Sequence, residues 1–216
     1  MTTQPCAPEW LAGCRLLPVM VIENLEQAIP MAEALLAGGL GVFEVTLRTP
    51  VALAAIEQIR RYLPEAVVGA GTVLDAGLYD AALASGAQFA VSPGSTTALL
   101  QHARIGAMPL LPGVATPSEV MQARELGYSL VKFFPAQALG GVTALKAMSA
   151  ALPGVSFCPT GGITPENLGA YLKLPSVVAV GGSWMLPAEA IKNGDWQRVT
   201  ALARQAISLI DEVCGA

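Results

Sequence analysis

Eight short, apolar, β-branched runs recur along this chain, and nearly every one is followed by a longer stretch with helical periodicity. Strands are expected near 17–22, 41–47, 66–71, 88–92, 108–112, 129–134, 154–158 and 176–180. Helical patterns lie between them near 25–38, 50–61, 75–85, 96–105, 117–126, 140–151 and 165–172. A last helix is expected from about 196 to 213, where Trp196, Val199, Leu202, Ala203, Ala206 and Ile210 recur at helical spacing. Such an alternation places helices on the faces of a parallel sheet. Eight units within 216 residues fit a (β/α)8 TIM barrel, with an open doubly wound sheet as the alternative. Helix boundaries are well signalled. Thr116-Pro-Ser-Glu119 reads as a capping box with Pro at the first helical position, and Thr164-Pro165 repeats the cap and the Pro. Gly39, Gly86 and Gly127 stand where helices should stop. The segment around Ala7–Cys14 is expected to form a short extra helix over one barrel end.

No linker, low-complexity tract or composition break divides the chain, so residues 1–216 are read as one domain. Hydrophobic residues make up 53% and charged residues 13%, which suits a large core and not a disordered chain. The net charge is -4 and no basic patch interleaved with aromatics occurs, which argues against a nucleic-acid partner. Pro and Gly interrupt the uncharged stretches, so no membrane-spanning helix is expected. The N-terminus lacks the basic start and apolar core of a signal peptide, and a cytoplasmic protein is expected. Cys6, Cys14, Cys158 and Cys214 form no C-x-x-C pair and read as reduced, structural thiols. The single histidine, His102, falls on a helix and reads as a surface residue. A metal site built on His or Cys clusters is therefore poorly supported.

The chemistry concentrates in two strands. Ser129-Leu-Val-Lys-Phe-Phe-Pro135 sets a cation, Lys132, in an apolar run. An unpaired Lys is almost never fully buried, because desolvation disfavours its charged form. A desolvated amine is a nucleophile that can form a Schiff base with a carbonyl. The competing reading is a lysine that snorkels from a strand end. In Gly41-Val-Phe-Glu-Val-Thr-Leu-Arg48, strand alternation puts Val42, Glu44, Thr46 and Arg48 on one face. Polar groups stacked that way fit a barrel interior near its mouth, not a helix layer. In the sixth strand Leu130, Lys132 and Phe134 share a face by the same rule. A buried salt bridge between Glu44 and Lys132 is the rival explanation, although such pairs are weak evidence for stability. Arg48, at the end of its strand, suits bidentate binding of a carboxylate or else a surface pair.

Two glycine pairs complete the pattern. Pro159-Thr-Gly-Gly-Ile-Thr-Pro165 follows the seventh strand, and Gly181-Gly-Ser183 follows the eighth. In (β/α)8 barrels the loops after strands seven and eight often bind phosphate through backbone N–H groups. Gly69-Ala-Gly-Thr-Val-Leu74 lacks the third small residue of a dinucleotide fingerprint and is discounted as one. Thr72 and Pro93 fall at strand C-terminal ends, where simple turn chemistry would also explain them.

The set Glu44-Val-Thr-Leu-Arg48, Gly69-Ala-Gly-Thr72, Val131-Lys-Phe-Phe-Pro135 and Pro159-Thr-Gly-Gly162 closely resembles the 2-keto-3-deoxy-6-phosphogluconate (KDPG) and 4-hydroxy-2-oxoglutarate aldolase family. The resemblance runs from Pro18 to the last helix. It implies a class I aldolase on a (β/α)8 barrel, usually a homotrimer, that needs no metal or organic cofactor. It implies Lys132 as the Schiff-base lysine and Glu44 as the general acid/base. Arg48 and Thr72 would hold the pyruvyl carboxylate, Phe134 and Pro93 would wall the pocket, and Thr160 would lie near the substrate hydroxyls. Gly161, Gly162, Gly182 and Ser183 would cradle the phosphate. The implied partners are a phosphorylated 2-keto acid and pyruvate. The rivals are an aldolase mainly for 4-hydroxy-2-oxoglutarate or for the galactonate epimer, a metal-dependent aldolase, and a non-catalytic phosphosugar-binding barrel.

Overall fold

The computed structural model describes residues 8–11 and 13–215. A single 3-10 turn, Glu9–Leu11, precedes β1 (Leu16–Met20), α1 (Ala28–Ala37), β2 (Val42–Thr46), α2 (Ala52–Tyr62), β3 (Val67–Gly71) and α3 (Ala76–Ala84). There follow β4 (Phe89–Val91), α4 (Thr97–Ile105), β5 (Leu110–Leu111), β6 (Gly113–Val114), α5 (Pro117–Glu125) and β7 (Leu130–Phe133). The chain ends with α6 (Gly141–Ala151), β8 (Ser156–Pro159), α7 (Pro165–Leu172), β9 (Val180–Gly182), α8 (Ala188–Asn193) and α9 (Trp196–Cys214). The result is an α/β fold around a curled parallel sheet. Six strands run in the order β5-β4-β3-β2-β1-β9, and three more in the order β6-β7-β8. Isolated parallel bridges, Phe157 with Val177 and Thr160 with Gly181, join β8 to the segment that carries β9.

Apolar side chains leave the strands on both faces. On one face Leu16, Met20, Phe43, Val45, Val68 and Ala70 pack with the helices in the main core. On the other, Leu17, Val42, Val67, Phe89, Val91, Leu111 and Leu130 form a second cluster that the curl encloses. Alternation along each strand produces this division. Trp10 stacks on Phe89 with ring centroids 4.1 Å apart, and Leu11 is buried beside them, so the N-terminal turn covers the lower end of the second cluster. Glu44 and Thr46 follow Val42 on the enclosed face, and Lys132 follows Leu130. The polar groups therefore sit one layer above an apolar floor.

Local signals explain most boundaries. Thr116 and Glu119 form the expected reciprocal cap, with Thr116 N–H donating to Glu119 Oε2 at 3.0 Å and Glu119 N–H donating to Thr116 Oγ1 at 3.3 Å. Gly39, Gly86 and Gly127 all adopt positive φ at helix ends. The long helix α9 buries Val199, Ala203, Ala206 and Ile210, and Gly38 lacks the Cβ that would strike Ala203.

Three of the expected elements take another form, and α8 lies where no helix is expected. The expected strand 108–112 is divided: β5 pairs with β4, β6 pairs with β7, and Pro112 stands between them. Proline has no N–H for a ladder, yet its carbonyl accepts from Lys132 N–H at 2.8 Å. The expected strand 176–180 pairs with β1 only from Val180, opposite Leu16. Its apolar run marks burial, with Val177 at 2% and Ala179 at 0% exposure, and not the extent of pairing. The expected N-terminal helix is the short turn Glu9–Leu11; Ala7 and Ala12, within that expectation, lie outside the described residues.

Candidate active site

Glu44 lies in the middle of β2, between Val19 of β1 and Gly69 of β3. Lys132 lies in β7, between Gly113 of β6 and Cys158 of β8. Although 88 residues separate them, the curl brings Lys132 Nζ to 3.3 Å from Glu44 Oε1 and 3.4 Å from Oε2. Their side chains are 7% and 2% exposed. A buried pair of this kind frequently stabilises no more than apolar side chains of the same size would. Fold stability alone thus gives little reason to keep these two residues here. The Phe134 ring centroid lies 5.3 Å from the same Nζ, so an aromatic face also meets the amine.

The surrounding groups tune this pair. Cys158 is fully buried beside Lys132, and burial pushes its thiol up to about 12, against a smaller downward pull from the Lys132 charge. It is thus a neutral wall of low polarity. Thr46 Oγ1 donates to the Met20 carbonyl at 3.0 Å and accepts from Arg48 Nε at 3.3 Å, which tethers an otherwise exposed guanidinium to the end of β2. Leu47 N–H bonds the Gly71 carbonyl at 2.8 Å, so the chain just before Arg48 runs beside the chain just before Thr72. Thr72 is the non-glycine residue with positive φ, at +59°, among the described residues. A conformation of this kind stores roughly 1–3 kcal/mol and gathers at ligand-contacting turns. Arg48 and Thr72 share no hydrogen bond among the described residues.

Pro93 packs against β6, with its carbonyl where a Cβ on Gly113 would stand, one strand away from Lys132. Thr160 is buried just beyond β8, where its hydroxyl reaches the Cys158 carbonyl at 3.5 Å and its N–H donates to Phe133 O at 2.9 Å. Gly161 and Gly162 follow in left-handed conformations, with φ of +98° and +76°. Asn167 braces this loop, donating from Nδ2 to the Gly162 carbonyl at 2.8 Å and accepting from Thr164 N–H at 2.9 Å. Gln137 N–H donates to Gly161 O at 3.0 Å, and Tyr171 Oη donates to Gln137 Oε1 at 2.9 Å. At Gly182 the missing Cβ makes room for the Trp184 indole. Ser183 is exposed and lines a cavity of about 440 Å³ together with Asn24 and Lys192.

The match that decides the family covers residues 8–202, which fit the model of the family described as KDPG and KHG aldolase. The chain belongs to the KDPG and KHG aldolase family. It is 52% identical to the KHG/KDPG aldolase of Escherichia coli (strain K12), over 88% of this chain and 90% of that one. Among solved structures it resembles the KDPG aldolase of Legionella pneumophila, in which pyruvate was captured at low pH as a covalent carbinolamine intermediate. That likeness has a TM-score of 0.89 at 50% identity and covers 91% of this chain and 95% of that one. The 2-keto-3-deoxy-6-phosphogluconate aldolase of Zymomonas mobilis ZM4, solved with 3-phosphoglycerate, matches with a TM-score of 0.86 at 50% identity, over 91% of this chain and 92% of that one.

Seen as a member of this family, the chain has a mouth with more parts than the sequence motifs disclose. The alternation that groups Glu44 with Arg48 also places Thr46 between them, and its hydroxyl turns out to orient the guanidinium. Cys158 is two residues before Thr160 on one strand face, a spacing that could have flagged it. Asn167 and Gln137 carry no such signal, because they reach the glycine loop from a helix and a turn. Among the described residues, no group of three or more His, Cys, Asp and Glu side chains is placed to hold a metal ion. No described helix is long and apolar enough to cross a membrane.

Proposed function

We propose that this chain is a class I aldolase that cleaves KDPG to pyruvate and glyceraldehyde 3-phosphate, the aldol step of the Entner–Doudoroff pathway. The observation that carries this reading is the buried contact between Lys132 and Glu44 at 3.3 Å. A lysine with a carboxylate at proton-transfer distance can pass it a proton and attack a ketone as the neutral amine. Lys132 Nζ adds to C2 of the substrate, and loss of water leaves an iminium. Glu44 takes the C4 hydroxyl proton, the C3–C4 bond breaks, and its electrons enter the iminium to give an enamine. Glyceraldehyde 3-phosphate leaves. Glu44 returns the proton to C3, and water hydrolyses the resulting imine to pyruvate and free Lys132. One carboxylate serves every step because it alternates between base and acid.

Arg48 and Thr72 hold the pyruvyl carboxylate, Phe134 and Pro93 wall the pocket, and Thr160 meets the substrate hydroxyls. Gly161, Gly162, Gly182 and Ser183 take the phosphate. Positive φ at Gly161 and Gly162 supports that last role, since successive backbone N–H groups in such a turn can converge as an anion-binding nest. The whole chain acts as one domain, and its strands close as a (β/α)8 barrel. Closure is supported by β5 and β6 being separated by Pro112 alone and by the two bridges from β8 to the β9 segment. The protein works as a homotrimer in the cytoplasm, a compartment that suits the free thiols of Cys14, Cys158 and Cys214. The relative from E. coli is named for both KHG and KDPG, which favours 4-hydroxy-2-oxoglutarate as a second substrate. Pyruvate release from KDPG, its galactonate epimer and 4-hydroxy-2-oxoglutarate, measured side by side, tests the reading. KDPG should turn over fastest, and no pyruvate from KDPG would overturn it.

A further inference from the structure

Gly71 ends β3 opposite Thr46 of β2. Its backbone is ordinary extended strand and is absent from the positive-φ glycines, so no conformational demand calls for glycine there. Glycine within a strand weakens it and often marks a place where another group comes close. Here that group is identifiable. A Cβ on Gly71 would collide with Glu44 Oε1, Cγ and Cδ, and these are its three nearest neighbours. The carboxylate that contacts Lys132 therefore occupies the volume Gly71 leaves empty. Gly69, two residues earlier, clears space for the Phe89 ring, which is a matter of core packing. The space at Gly71 is filled by a charged group that reaches the reacting amine.

We infer that Gly71 is a positioning residue for the aldol reaction, a notch in β3 that seats the Glu44 carboxylate against Lys132. The inference rests on Glu44 being the acid–base group of the proposed reaction. An alanine at this position would be compatible with the strand backbone but would force the Glu44 side chain to turn away. Proton transfer depends on hydrogen-bond reach, and a displacement of about 1 Å at a reacting group can cost ~10²-fold in rate. Neither Arg48 nor the glycine loop after β8 contributes to the three nearest atoms that such a Cβ would meet.

The test uses Gly71→Ala, Glu44→Ala and the double variant. Gly71→Ala is expected to lower kcat for KDPG by ~10²-fold with KM little changed. It should also lower the melting temperature of the parent protein. In the Glu44→Ala background the carboxylate is gone, so the same substitution should leave the melting temperature unchanged or raise it. If Gly71→Ala alone does not fold, the double variant still decides, because it should fold as Glu44→Ala does. Parent-like kcat in Gly71→Ala, or an equal loss of melting temperature in both backgrounds, would overturn the notch. Full turnover by Glu44→Ala would instead overturn the acid–base role itself, and the positioning role with it.

Discussion

At the scale of single residues, charge in the wrong place was the readable signal. Lys132 between Val131 and Phe133 and Glu44 between Phe43 and Val45 each interrupt an apolar run, and the two are found in contact. Cys158 gave only the positional sign of standing two residues before Thr160, because a buried thiol otherwise has the same sequence signature as any small apolar core residue. Its environment has a measurable consequence. Burial raises its thiol from 9.0 to about 12, so the folded state holds a proton that the unfolded chain releases earlier. The associated stability is complete below pH 9 and declines as pH rises toward 12. Melting temperatures taken across that range should fall less for Cys158→Ala than for the parent. Parallel curves would mean that the thiol is not shielded as described.

At the scale of elements, periodicity and caps located most strands and helices, while pairing escaped them. The run at 176–180 reads as a strand because it is apolar and β-branched, but hydrophobicity reports burial and only the register with β1 fixes where β9 begins. The break at Pro112 is local chemistry with a distant effect, since it shifts one stretch of chain from β4 as partner to β7. Helix α8 lacked a long enough apolar stripe to be distinguished from its loop. The support for the glycine loop after β8 was equally hidden, because Asn167 looks like an ordinary residue of the first turn of α7. It bonds both Gly162 O and Thr164 N–H, so Asn167→Ala removes a brace and a cap together. That variant is expected to raise KM for KDPG severalfold while the yield of pyruvate trapped by borohydride stays at the parent level. An equal loss of both would place the phosphate elsewhere.

At the scale of the whole molecule, the strand–helix alternation led to the right class of fold, a curled parallel sheet sheathed by helices. How its ladders divide into six and three strands depends on twist and on single prolines, which no periodicity reports. The layering inside the curl, with an apolar floor closed by Trp10 and polar groups above it, follows from alternation repeated strand after strand. It also isolates one lysine. Lys146, Lys173 and Lys192 are exposed on or beside helices, and Lys132 alone is buried against an acid. The most direct measurement is therefore borohydride reduction in the presence of pyruvate, followed by peptide mass mapping. One three-carbon adduct on the peptide carrying Lys132, absent in Lys132→Arg, is the expected result. An adduct on Lys146, Lys173 or Lys192, or none at all, would contradict Schiff-base catalysis at this site.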